Sequence, residues 1–85
     1  MNEVLLEKVT DMVVKVLQAK GDANPKVAVG ESLYENGLGL DSLDTATLAA
    51  MLENEFKIDP YNAGEFPESI QEIVDFYNVG TSQVL

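Results

Sequence analysis

The sequence predicts an all-α domain, a bundle of three main helices plus one short helix with a long first loop. Two observations carry this: three segments place apolar residues at helical spacing, and no segment alternates apolar and polar residues with the period of two that a strand needs. The chain has 85 residues, enough for one small core and too few for two, so residues 1–85 are expected to form a single domain.

The first helix is expected over residues 3–18. Leu5, Val9, Met12, Val13, Val16 and Leu17 fall on one stripe, Asn2 suits an N-cap, and Lys20-Gly21 suits a stop. Residues 20–40 carry Gly21, Pro25, Gly30, Gly37 and Gly39 and no sustained period, so they read as a connection with at most one helical turn, near residues 32–34. Connections that long are uncommon in compact domains. This one is expected to be pinned by its own apolar residues, Val27, Val29, Leu33 and Leu38.

The second helix is expected over Ser42–Phe56, a stretch without Gly or Pro in which Leu48, Ala49, Leu52 and Phe56 make the core stripe. Asp59-Pro60 then offers an N-cap and a first-turn proline for the short helix, ended by Gly64. The last helix is expected over residues 68–78, where Ile70, Ile73, Val74 and Tyr77 repeat at helical spacing behind Pro67, with Asn78 and Gly80 as the stop. Tyr34, Phe66, Phe76 and Tyr77 read as core or half-exposed packing residues.

Composition restricts the chemistry. The chain has no Cys and no His, so it lacks a disulfide framework, thiolate metal ligands and the commonest general base. No apolar run approaches the length of about 20 residues that spans a bilayer, and no signal-peptide pattern opens the chain, which makes the cytoplasm the default location. The net charge of −10 is uneven: acids and lysines balance up to residue 30, whereas the only basic residue after it is Lys57. Such a field repels nucleic-acid phosphate and anionic lipid and attracts basic protein surfaces, with weak magnesium or calcium association.

The strongest local pattern is "GLGLDSLD" at residues 37–44. Asp41 and Asp44 have the spacing of a capping box, which would leave Ser42 at the first helical position with an idle, outward hydroxyl. In the competing assignment Ser42 is itself the N-cap and its oxygen is committed to the backbone. A serine without a base cannot activate itself as a nucleophile, so Ser42 is better suited to be a substrate than a catalyst.

Residues 31–58, "ESLYENGLGLDSLDTATLAAMLENEFKI", together with "SIQEIVDFY" at 69–77, resemble the acyl carrier proteins. The resemblance covers about two thirds of the chain and implies a discrete carrier with an acyl-carrier-protein-like four-helix bundle. It implies that Ser42 is esterified by a carrier protein synthase (phosphopantetheinyl transferase) with phosphopantetheine from coenzyme A. The arm would bring the thiol that this chain lacks, and the chain would itself be no enzyme. Asp41, Asp44 and Glu53 would then meet basic docking patches on acyl-transferring and chain-elongating enzymes, beside an exposed Leu43.

Departures from the family pattern fall on that face: Thr47 replaces a frequent glutamate, and Ala46 and Ala50 replace bulkier apolar residues. The docking face is therefore weaker in charge and relief, which bears on partner choice, although for Ala46 and Ala50 good helix propensity is at least as good an explanation. The resemblance also makes Leu48, Met51, Leu52, Phe56, Ile58 and Ile73 candidates to line a space for the acyl chain. No metal site is expected. The start at Met1 and the short tail favour a stand-alone monomer serving fatty-acid, polyketide or specialised lipid synthesis. The alternatives are an aminoacyl or peptidyl carrier, disfavoured by Asp41 before the serine, and an acidic helical interaction module in which Ser42 is only a cap. A serine hydrolase lacks a base.

Overall fold

The computed structural model describes residues 2–84, with side chains described for residues 3–78. Three helices account for the regular structure: α1 (Asn2–Ala19), α2 (Ser42–Phe56) and α3 (Ile70–Val84). No strand occurs among the described residues. Helix α1 lies against both of the others, and α2 and α3 meet through the rings of Phe56 and Tyr77, whose centroids are 4.6 Å apart.

The stripe expected on α1 supplies Val9, Val13, Val16 and Leu17 to the core, while Leu5 and Met12 are only partly buried. Helix α1 stops where Lys20-Gly21 announces it. Asp22 N–H donates to the Leu17 carbonyl at 3.2 Å and Gly21 N–H to that of Gln18 at 3.0 Å, with Gly21 at φ 107°. This is a Schellman close, and its left-handed residue favours glycine because a Cβ would be strained there.

The long connection is irregular but anchored. Leu33 and Leu40 are buried in the core, and Val27 and Leu38 pack against it. Val29, expected to help, is instead exposed, and its backbone does the anchoring: its carbonyl accepts from Gln71 N–H at 2.9 Å. Leu33 N–H donates to the Glu68 carbonyl at 2.8 Å. The turn lies after the expected position, where Gly37 and Gly39 N–H both donate to the Tyr34 carbonyl, at 2.9 and 2.8 Å.

Two expectations are corrected. The short helix at Asp59-Pro60 is a hydrogen-bonded turn over residues 60–64: Asp59 Oδ1 accepts from Asn62 N–H at 2.8 Å as a cap would, but the bonds that follow skip between three-, four- and five-residue spacing. Gly64 at φ 89° ends the winding before a regular turn repeats. The last helix begins at Ile70, two residues late, because Pro67 and Glu68 spend their carbonyls on Tyr34 and Leu33 and the cap is Ser69, whose Oγ accepts from Glu72 N–H at 3.2 Å. It also runs past Asn78 and Gly80 to Val84. An isolated glycine costs a helix only about 1 kcal/mol relative to alanine.

Candidate functional site

The start of α2 is fixed by a reciprocal cap. Asp41, with φ −97° and ψ −174°, is the N-cap: its Oδ1 accepts from Asp44 N–H at 2.9 Å, and Asp44 Oδ2 accepts from Asp41 N–H at 3.0 Å. Thr45 adds its hydroxyl to the Asp41 carbonyl at 2.9 Å. Of the two assignments left open by the sequence, the capping box holds. Ser42 is the first helical residue, it is exposed, and its hydroxyl makes no hydrogen bond among the described residues.

A cation completes this corner. Lys20, just past α1, donates from Nζ to Asp44 Oδ2 at 2.7 Å and to the Gly39 carbonyl at 2.9 Å. The hydrogen bond from Lys20, followed by that from the Asp41 backbone, holds the Asp44 carboxyl below the usual carboxylate range. The same bond raises the Lys20 ammonium above its ordinary value. Asp44 is thus half-buried and already paired.

The outer face of α2 carries Leu43, 74% exposed, followed by Ala46, Thr47, Ala50 and Glu53, all exposed. Helical spacing brings them together as one stripe leading from Ser42. The Thr47 hydroxyl is spent inside the helix, on the Leu43 carbonyl at 3.1 Å. Glu53 has no ion pair among the described residues, whereas Glu55 pairs with Lys8 of α1 at 2.7 Å. Neither Glu53 nor Asp41, just before the stripe, makes an ion pair among the described residues, although Asp41 attracts Lys20 through space.

The candidates for an acyl-lining space divide. Leu48, Leu52 and Ile73 are fully buried, and Met51 and Phe56 pack against the core. Ile58 is 52% exposed, because it follows Lys57, whose left-handed φ of 74° turns the chain out of α2. Its carbonyl points back, accepting from the Tyr77 hydroxyl at 2.6 Å.

None of these six lines the opening beside Ser42. That groove, about 440 Å³, is formed by Tyr34, Leu40, Thr45, Tyr61, Phe66 and Glu68, with Asp41 and Ser42 completing the lining. Sequence reasoning missed Leu40, Thr45, Tyr61 and Glu68 of this lining, and Tyr61 is the one with the most unusual surroundings. Its hydroxyl lies 3.0 Å from that of Tyr34, which in turn donates to the Pro67 carbonyl at 2.6 Å. Burial first, then the bond with Tyr34, raises the Tyr61 phenol far above its ordinary titration range and keeps it protonated. A Pro-Tyr pair in a turn was the available signal, but nothing local announces the partner 27 residues earlier.

The site has the features that a serine-linked phosphodiester needs: a free hydroxyl at a helix start, where backbone N–H groups and the helix dipole favour an anion. The family model described as "Phosphopantetheine attachment site" matches residues 7–77. The chain is 36% identical over 70 residues to "Acyl carrier protein 2, mitochondrial" of Arabidopsis thaliana, an alignment covering 81% of this chain and 56% of the plant protein. The chain thus spans just over half the length of that relative. No solved structure matches the chain.

Proposed function

Because this chain belongs to the phosphopantetheine attachment site family, we propose that it is an acyl carrier protein whose arm is attached at Ser42. The observation that carries the reading is the idle Ser42 hydroxyl on a helix start already capped by Asp41 and Asp44. The serine oxygen would form a phosphodiester with phosphopantetheine, displacing adenosine bisphosphate from coenzyme A, while its proton passes to the carrier protein synthase. Once attached, the arm supplies the thiol on which acyl groups travel as thioesters. The chain's own part is to present that arm and to dock, and it performs no chemistry itself.

Docking is proposed for the stripe of Leu43, Ala46, Thr47, Ala50 and Glu53 with Asp41, against enzymes carrying basic patches; Asp44 contributes less because Lys20 occupies it. Leu48, Met51, Leu52, Phe56, Ile58 and Ile73 line an acyl space in this reading only if the packed core opens. The short turn at residues 60–64 would be the rudiment of a fourth bundle helix. No described helix is long and apolar enough to cross a membrane. A cytoplasmic, monomeric carrier is proposed, and fractionation decides the compartment against the mitochondrial name of the plant relative.

Intact mass tests the reading. Treatment with a carrier protein synthase and coenzyme A is expected to add one phosphopantetheine to the wild-type chain and nothing to Ser42→Ala, which keeps the wild-type thermal midpoint because the lost hydroxyl bonds to none of the described residues. No added mass on the wild type, or equal addition to the variant, overturns it.

A further inference from the structure

The side chains of the groove beside Ser42 have a one-sided hydrogen-bonding inventory, the free backbone N–H groups of the helix start being left to the phosphodiester. Tyr34 has a single hydroxyl proton and spends it on the Pro67 carbonyl at 2.6 Å, a group with no proton of its own. In the 3.0 Å contact between the two phenols, Tyr61 is therefore the donor. Thr45 gives its proton to the Asp41 carbonyl. Asp41 and Glu68, when ionised, only accept, and Ser42 loses its proton once esterified. The side chains lining the groove then hold no proton to donate, while the Tyr61 oxygen and the Glu68 carboxylate keep lone pairs to offer. Leu40 and the Phe66 ring, 72% exposed, supply apolar wall.

Resting on the reading that Ser42 carries the arm, we propose that this groove is a cargo-selecting site: it favours acyl groups bearing a hydrogen-bond donor, a hydroxyl or amino substituent, over plain acyl groups, and disfavours carboxylate-ended ones. A donor on the acyl chain meets the spare lone pair of the Tyr61 oxygen and Glu68, a plain chain meets only the apolar wall, and a terminal carboxylate faces two acids with no cation among the lining residues.

The experiment loads the chain by a promiscuous carrier protein synthase with hydroxybutyryl, aminobutyryl, butyryl or succinyl coenzyme A, and compares thermal midpoints and the NMR resonances of Tyr61, Phe66 and Thr45. The hydroxybutyryl form is expected to melt about 4 °C above the butyryl form, as one added hydrogen bond implies for a domain of this size, with Tyr61 resonances displaced and the succinyl form lowest. An aminobutyryl form above the hydroxybutyryl form assigns the preference to the acids; the reverse order assigns it to the phenol. Tyr61→Phe keeps the ring and is expected to erase most of the difference between hydroxybutyryl and butyryl. Equal midpoints and unmoved Tyr61 resonances in the wild type, or a succinyl form that melts highest, overturn the proposal; the wild-type comparison stands even if the variant fails to fold. A chain that takes up no arm defeats the attachment reading instead.

Discussion

Gly37 occupies a place that no side chain fits. A Cβ there would stand far inside contact distance of the Ser32 carbonyl oxygen, which is itself held by Leu38 N–H at 2.8 Å. The obstacle is backbone and cannot swing aside. Gly37→Ala is therefore expected to cost about 2 kcal/mol or more by overpacking, lowering the midpoint of a thermal melt by about 10 °C; a melt within a degree of the wild type would contradict it. The sequence showed that residue 37 is glycine but not why. The reason lies in the return of the chain upon residue 32, which is set by Leu33 entering the core. The role of Tyr61 stayed hidden for the same kind of reason, since its partner Tyr34 is brought to it by the path of a loop. Asp41 and Asp44, by contrast, were legible as a pair because a capping box is complete within four residues.

At the level of elements, what a short window contains was readable and what lies between windows was not. Helix α2 begins and ends where its composition says, with Asp41 before it and Lys57 closing it through a 2.8 Å bond to the Glu53 carbonyl. The late start of α3 was invisible because the carbonyls of Pro67 and Glu68 answer to residues more than thirty positions away. The link from Lys20 to Asp44, which ties the end of α1 to the start of α2, has the same character and makes a pH prediction. The folded chain holds Asp44 below its ordinary value of 3.8, so the stability from this pair is complete above that value and is lost as the pH falls through the lowered one. Lys20→Met is expected to be less stable than the wild type at neutral pH, with the gap narrowing in acid as the pH falls below 3.8. Urea unfolding at neutral and at acid pH checks it, and a gap that widens in acid would be the opposite sign.

Across the whole molecule, uncompensated charge adds to the conformational entropy that works against the fold. With a net charge of −10 and ion pairs only at Lys8–Glu55 and Lys20–Asp44 among the described residues, most acids stand without a cation and oppose compaction. The described residues contain no cluster of three or more acids poised to hold a metal ion. Added salt is therefore expected to raise the thermal midpoint by several degrees through diffuse screening, with magnesium and sodium chlorides close together at matched ionic strength. A sharp, saturating rise with magnesium alone would mean a discrete site instead. Overall charge and its one-sided distribution were fully legible in the sequence; which acids stand unpaired was not, because that depends on where the few lysines come to rest.

The lysine that already sits on Asp44 changes how this surface would part from a visitor. An arginine or lysine arriving from another protein gains that carboxylate only by evicting Lys20, so one contact is exchanged for another and the net gain in grip is slight. Such a corner suits brief encounters, in which letting go is as easy as taking hold.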